Sequence, residues 1–248
     1  MEEGPCPGEN TGLGGKVPQL EKGIAMLRLA LLVFMVFTGF SAHGATFNHG
    51  QWDTLLKKHV RVVDGGVATQ VDYDGMLADR AQLKTYLENF ATVEEAEFDS
   101  WPVDFQLAFL INVYNSWTVE LILTRYPELD SIKDLGSIFQ SPWKKRFIPL
   151  FGKERSLDEI EHQLIRGSSR YNDPRIHFAV NCASIGCPAL RAEAYNGLEL
   201  QHQLDEATSL FLKDRSRNRL DGQVLEISPI FKWYGEDFSR GWKGVPSL

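Results

Sequence analysis

Cysteine is scarce in this chain, with three in 248 residues, and that excludes a scaffold built on many disulfides. The spacings that hold zinc or calcium are absent, as are the glycine patterns that cradle phosphates, so neither a metal nor a cofactor is expected. No segment repeats, which removes the solenoid and propeller classes. Positive charge is also in short supply. Against 33 Asp and Glu stand 26 Lys and Arg, a net charge of −7, and the isoelectric point is near 5.4. That balance argues against a general nucleic-acid binder. The short basic runs Lys144-Lys145-Arg146 and Lys213 to Arg219 read as solvated faces.

The one long apolar run, Ala25 to Phe40, is broken by Arg28, Thr38 and Gly39. Its apolar core beyond Arg28 is too short for a comfortable membrane span. Small residues at Ala42 and Gly44 then suit cleavage before Ala45, so the run reads as a secretory signal peptide. Met26-Leu27-Arg28 makes a compact basic start, and Met26 is the expected true initiation point. Residues 1–44 are therefore extension and signal, and residues 45–248 a single domain, secreted or periplasmic, with no stable membrane anchor. The removed part holds three cations and four anions, which leaves the mature chain at −6. It also holds Cys6, so Cys182 and Cys187 alone enter an oxidising compartment.

What is present is regular periodicity. Trp52, Leu55, Leu56 and Val60 mark a short amphipathic helix, followed by a hairpin turning on Asp64-Gly65-Gly66. Tyr73 to Phe90 has helical spacing, and Glu94 to Ser100 reads as an acidic loop. Asp104 can cap a helix reaching about Arg125 that is apolar nearly all round, as a helix at the centre of a domain is. Its polar residues Asn112, Asn115 and Glu120 must then find partners, either neighbouring loops or a histidine. A second hairpin turns at Phe151-Gly152-Lys153, and Ser156-Leu157-Asp158-Glu159 is a capping box opening a helix to about Arg166. Leu198 to Lys213 is amphipathic, Val224 to Ser228 a short strand, and Ile230 to Phe238 an aromatic knot that reads as core.

Chemistry, if present, concentrates between Arg175 and Leu190. Ile176, Phe178 and Val180 alternate with His177, Ala179 and Asn181, which predicts a strand. Cys182 lies just past it, and Pro188 suits the start of a helix capped by Cys187. Two readings stand side by side. Cys182 and Cys187 can form a staple closing a small loop, worth about 2 kcal/mol by loop entropy. Alternatively, Cys182 is a nucleophile with His177 as base and Asn115 or Glu120 as orienter. A straight strand separates residues 177 and 182 by roughly 17 Å, so that pair needs a sharp bend, or His162 in place of His177. A dithiol oxidoreductase is the weaker third reading, since the spacing is not Cys-x-x-Cys.

Four blocks in order, Leu107 to Asn115, Ser156 to His162, His177 to Pro188 and Phe231 to Phe238, resemble the DUF547 family, across about residues 50–240. The resemblance implies a domain whose function is unknown, found in secreted bacterial proteins, and it supplies no catalytic residue. The fold expected is α+β, a helix-rich single domain around a buried central helix, with a small mixed β-sheet that includes residues 175–181. The function expected is a cysteine-dependent hydrolase or acyltransferase acting on amide or ester bonds. The alternative is a non-catalytic binding module for a small-molecule or peptide ligand.

Overall fold

The computed structural model describes residues 46–137, 140–184 and 186–243. The expected extension and signal peptide, residues 1–44, lie outside the described residues. The domain is organised on α5, Val103–Leu123, of whose 21 residues 17 are buried. A helix apolar on every side has no face to offer to water, so tertiary packing encloses it. Pro102 precedes its first turn as N-cap; the expected cap, Asp104, sits inside that turn and accepts a hydrogen bond from Gln201.

Around α5 the chain places α1 (Gly50–His59), α2 (Tyr73–Ala78) and α3 (Arg80–Glu88). Trp52, Leu55, Leu83, Tyr86 and Phe90 join Phe109 and Leu110 in the main core. Glu94 to Ser100 is not a loop. Glu95–Ser100 forms α4, because Phe98 is buried against the core and Glu95 and Glu97 sit in the first turn, where the helix dipole favours anions. The capping box is formed as expected, with Ser156 accepting from Glu159 N and Glu159 from Ser156 N. It opens α6, Leu157–Glu159, which continues as a π-helix over Ile160–Arg166. The amphipathic α7 spans Leu200–Lys213, and two short helices, α8 (Ile230–Trp233) and α9 (Gly235–Ser239), close the chain.

The helix-rich α+β class holds, with the strands arranged differently from expectation. Among the described residues they make three separate antiparallel hairpins: β1 (Val60–Val63) with β2 (Ala68–Val71), β3 (Ile148–Leu150) with β4 (Lys153–Arg155), and β5 (Arg219–Asp221) with β6 (Val224–Glu226). None includes residues 175–181. The predicted strand there is a 3₁₀ helix, Pro174–Phe178. Asp173 caps it by accepting from Arg175 N, and Pro174 fills the first position, a start signal that outweighs the alternation. The alternation arises because both sides of the segment are buried. Ile176 enters the main core, whereas Phe178 joins a second cluster with Phe211, Ile230 and Phe238.

Candidate functional site

After the 3₁₀ helix the chain enters a braced loop. Asn115 on α5 donates to Ala179 O and accepts from Asn181 N, at 3.0 and 2.8 Å. Asn181 in turn accepts from Ala183 N and donates to Pro188 O. Ala183 takes a left-handed φ of 54° to make the reversal. Gly186 cannot carry a side chain comfortably, since a Cβ there would meet Pro229 and Trp233 at 3.3 Å. In this loop Cys182 and Cys187 are joined as a disulfide, with Cα atoms 5.9 Å apart. The helix expected from Pro188 is not formed: Asn181 holds the Pro188 carbonyl, and Thr69 Oγ1 holds the Leu190 carbonyl at 2.7 Å. Those bonds keep the segment extended.

The expected nucleophile, base and orienters are therefore brought to different partners. Cys182 is bonded to Cys187 and is no thiol in this structure. His177 bonds through Nε2 to Asp237 Oδ2 at 2.8 Å. His162 bonds through Nδ1 to Arg166 at 2.8 Å. Glu120 takes a bidentate bond from Arg80, its closest contact 2.7 Å. Asn112 clamps the backbone of Tyr195 on both sides. Among the described residues no hydrogen bond joins a histidine to either sulfur. The polar residues of α5 brace chain segments, as buried amides and carboxylates must.

His177 belongs instead to a buried clasp with Tyr234 and Asp237, residues of the aromatic run expected to be core. Its ring stacks on Tyr234 at 3.9 Å, and Arg166 Nε donates to the same Asp237 oxygen at 2.5 Å. Tyr234 donates to Glu161, and the Arg166 guanidinium lies 4.8 Å over the Tyr234 ring. Burial pushes the His177 pKa down to about 4, against the pull of Asp237. Burial opposes ionisation of Asp237, but the hydrogen bonds from Arg166 and His177 hold its carboxyl below the usual range. The pair is thus neutral imidazole with carboxylate. An N–H on Nε2 then leaves Nδ1 a bare acceptor, and that atom has no hydrogen-bond partner. His177 is only 1% exposed in this structure. The clasp ties α8 and α9 to the π-helix and the 3₁₀ helix. Polar residues inside the aromatic run, Tyr234 and Asp237, were the signal for it in the sequence.

The open site is on the other side of the cysteine loop. A cleft of about 600 Å³ runs between β2 and the loop. It is lined by Ile122, Tyr126 and Leu129, by Val71 and Tyr73, and by Asn181 and Cys187, with Asp130, Lys133 and Arg217 as its charged groups. The Tyr73 and Tyr126 rings meet at 5.7 Å, and Tyr126 is fixed by its hydroxyl bond to Asp74. Thr69 and Pro188 to Leu190 separate it from a second cavity of about 310 Å³, lined by Leu210 and Phe211 of α7. The size and mixed lining suit an organic or peptide ligand. Among the described residues, no group of three His, Cys, Asp or Glu is placed to hold a metal ion.

Fold and site together define a helix-rich α+β domain with a disulfide-walled cleft beside a buried histidine clasp. Residues 98–212 match the DUF547 family, described as "Protein of unknown function, DUF547". That span starts in α4 and ends within α7, so β1–β2, Tyr234 and Asp237 complete the cleft and the clasp from outside it. Comparison with curated proteins and with solved structures found no match.

Proposed function

We propose that the chain is an exported, non-catalytic binding module that takes a short extended peptide in the disulfide-walled cleft. The observation that carries this reading is the Cys182–Cys187 bond. A cysteine-dependent hydrolase or acyltransferase needs a thiolate and a base within reach. Here both sulfurs are used, and His177 is enclosed and engaged by Asp237. Export belongs to the same reading, since a disulfide persists in an oxidising compartment.

The strand beside the cleft favours a peptide over a compact small molecule. Asp72 N donates to His59 O at 2.8 Å, and the register pairs Val60 with Val71 and Val62 with Thr69. Antiparallel pairs alternate between bonded and non-bonded. Thr69 and Val71 therefore turn their N–H and C=O groups away from β1, and both residues line the cleft. An extended chain can pair with such an edge and place alternate side chains against Ile122 and Tyr126.

The test has two arms. A thiol count on the exported protein, denatured without reductant, is expected to find none; two free thiols would return the chain to thiol chemistry. A displayed random-peptide library panned on the protein is expected to enrich a consensus that Tyr126→Arg, which fills the cleft, abolishes. Failure to enrich any sequence would remove the peptide.

A further inference from the structure

We propose that the β5–β6 hairpin, with the basic segment leading into it, is a docking surface for an anionic lipid bilayer. Leu220 and Leu225 are cross-strand partners and so share a face. Ile227 continues that face two residues on. Leu220 and Leu225 are each 67% exposed, Ile227 51%, and Trp233 in the next helix 54%. A lone exposed leucine is ordinary on a folded protein, but a contiguous apolar face marks an interaction surface.

The hairpin stands proud of the domain. Among the described residues, no hydrogen bond or ion pair leaves residues 219–227, and Arg219 closes onto Glu226 within the hairpin itself. Its base is nevertheless fixed. Asn218 donates to Phe211 O at 2.7 Å and accepts from Ser228 N, while Ser228 Oγ donates to Gly186 O. The apolar face is thus presented on a rigid mount.

Charge selects the partner. Residues 213–232 carry five Lys and Arg against three Asp and Glu, in a chain whose net charge is −7. Asp214 is paired with Arg217 and Glu226 with Arg219. Lys213, Arg215 and Lys232 are exposed, and none pairs with a described carboxylate. Apolar side chains that protrude, with cations near them in the chain that no described carboxylate neutralises, suit insertion between anionic headgroups; Arg215 also donates to Asn218 O at the hairpin's base. A second copy fits less well, because a two-fold contact would set these cations against themselves. Among the described residues, no helix is long and apolar enough to cross a membrane.

Vesicle co-sedimentation tests this, using the full chain in the form its expressing cell accumulates. The vesicles are phosphatidylcholine alone, or phosphatidylcholine with phosphatidylglycerol at 3:1. The readout is the ratio between variants, so that the N-terminal segment contributes equally throughout. On the anionic vesicles, Leu220→Ser/Leu225→Ser is expected to lower partitioning tenfold or more. Lys213→Gln/Arg215→Gln is expected to lower it roughly fivefold per charge there, and not at all on the neutral vesicles. All four positions are exposed, so thermal melts should match the parent chain; Ile227→Ser is the substitute should the leucine pair fail to fold. Leucine variants that partition like the parent chain would overturn the proposal. So would a dimer in size-exclusion chromatography that the leucine substitutions dissolve, which would make the face a contact between copies.

Discussion

Cys182 follows His177 by five positions, yet their side chains serve neighbourhoods of opposite character. His177 is sealed between Tyr234 and Asp237, its titration suppressed by burial. Cys182 is tied to Cys187, which lines an open cleft of about 600 Å³. The first region packs two histidines, two carboxylates, an arginine and Tyr234 on one another, beside a space of only about 20 Å³. The second has the room, and its titratable groups, Tyr73, Tyr126, Asp130, Lys133 and Arg217, are spread around an open space. A dense cluster of perturbed ionisable residues points to function only when a ligand can reach it. Here it holds the last two helices on the domain, and the ligand-sized space lies across the loop.

That contrast can be broken most severely at Asp237. Asp237→Ala leaves the Arg166 guanidinium and the His177 ring without their shared acceptor. Removing one partner of a buried pair is expected to cost about 3 kcal/mol or more, read by urea unfolding. A loss under about 1 kcal/mol would show that the clasp does not hold the C-terminal helices.

Acid should act next, through the same clasp but at His177. The unfolded chain protonates His177 below pH about 6.5, whereas the folded chain keeps it neutral down to about 4. More protons bind to the unfolded state in that window, so this contribution is whole above pH 6.5 and is lost as pH falls towards 4. The loss should reach about 3 kcal/mol across the window. Burial lowers His49 to about 3 as well, so the informative quantity is a difference between chains. His177→Phe, which keeps the stacking on Tyr234, should flatten the acid limb of unfolding free energy by about 1.4 kcal/mol per pH unit. An unchanged slope would mean that His177 is not buried neutral.

The cleft side predicts a smaller effect. Cys182→Ser should cost about 2 kcal/mol, the loop entropy of a short closed ring. Cys187→Ser should cost the same, and the double substitution no more than either single one, because each breaks one bond. Additive losses, measured by thermal unfolding of the oxidised protein, would show the two sulfurs acting separately. They would also erase the distinction between a stapled cleft and a packed clasp.

Elements whose signals are local were legible without coordinates. The capping box at Ser156, the Asp64-Gly65-Gly66 hairpin and the all-apolar α5 depend on neighbours within a few residues, and each forms where the pattern placed it. The two cysteines, too close in sequence to be unrelated, were readable as a staple. Residues 174–178 were misread, because alternation reports only that alternate residues are apolar. Ile176 and Phe178 are both buried in opposite cores, so the pattern survives without a strand, and Asp173 and Pro174 decide the backbone. Pairings across long stretches could not be read at all. Asp237 meets His177 across 60 residues and Arg166 across 71, and Thr69 meets Leu190 across 121. No residue type announces such a partner, since any buried carboxylate must find a donor and the sequence leaves many available. Which donor it finds, and so whether a histidine becomes a base or a fastening, is decided only when the helices pack.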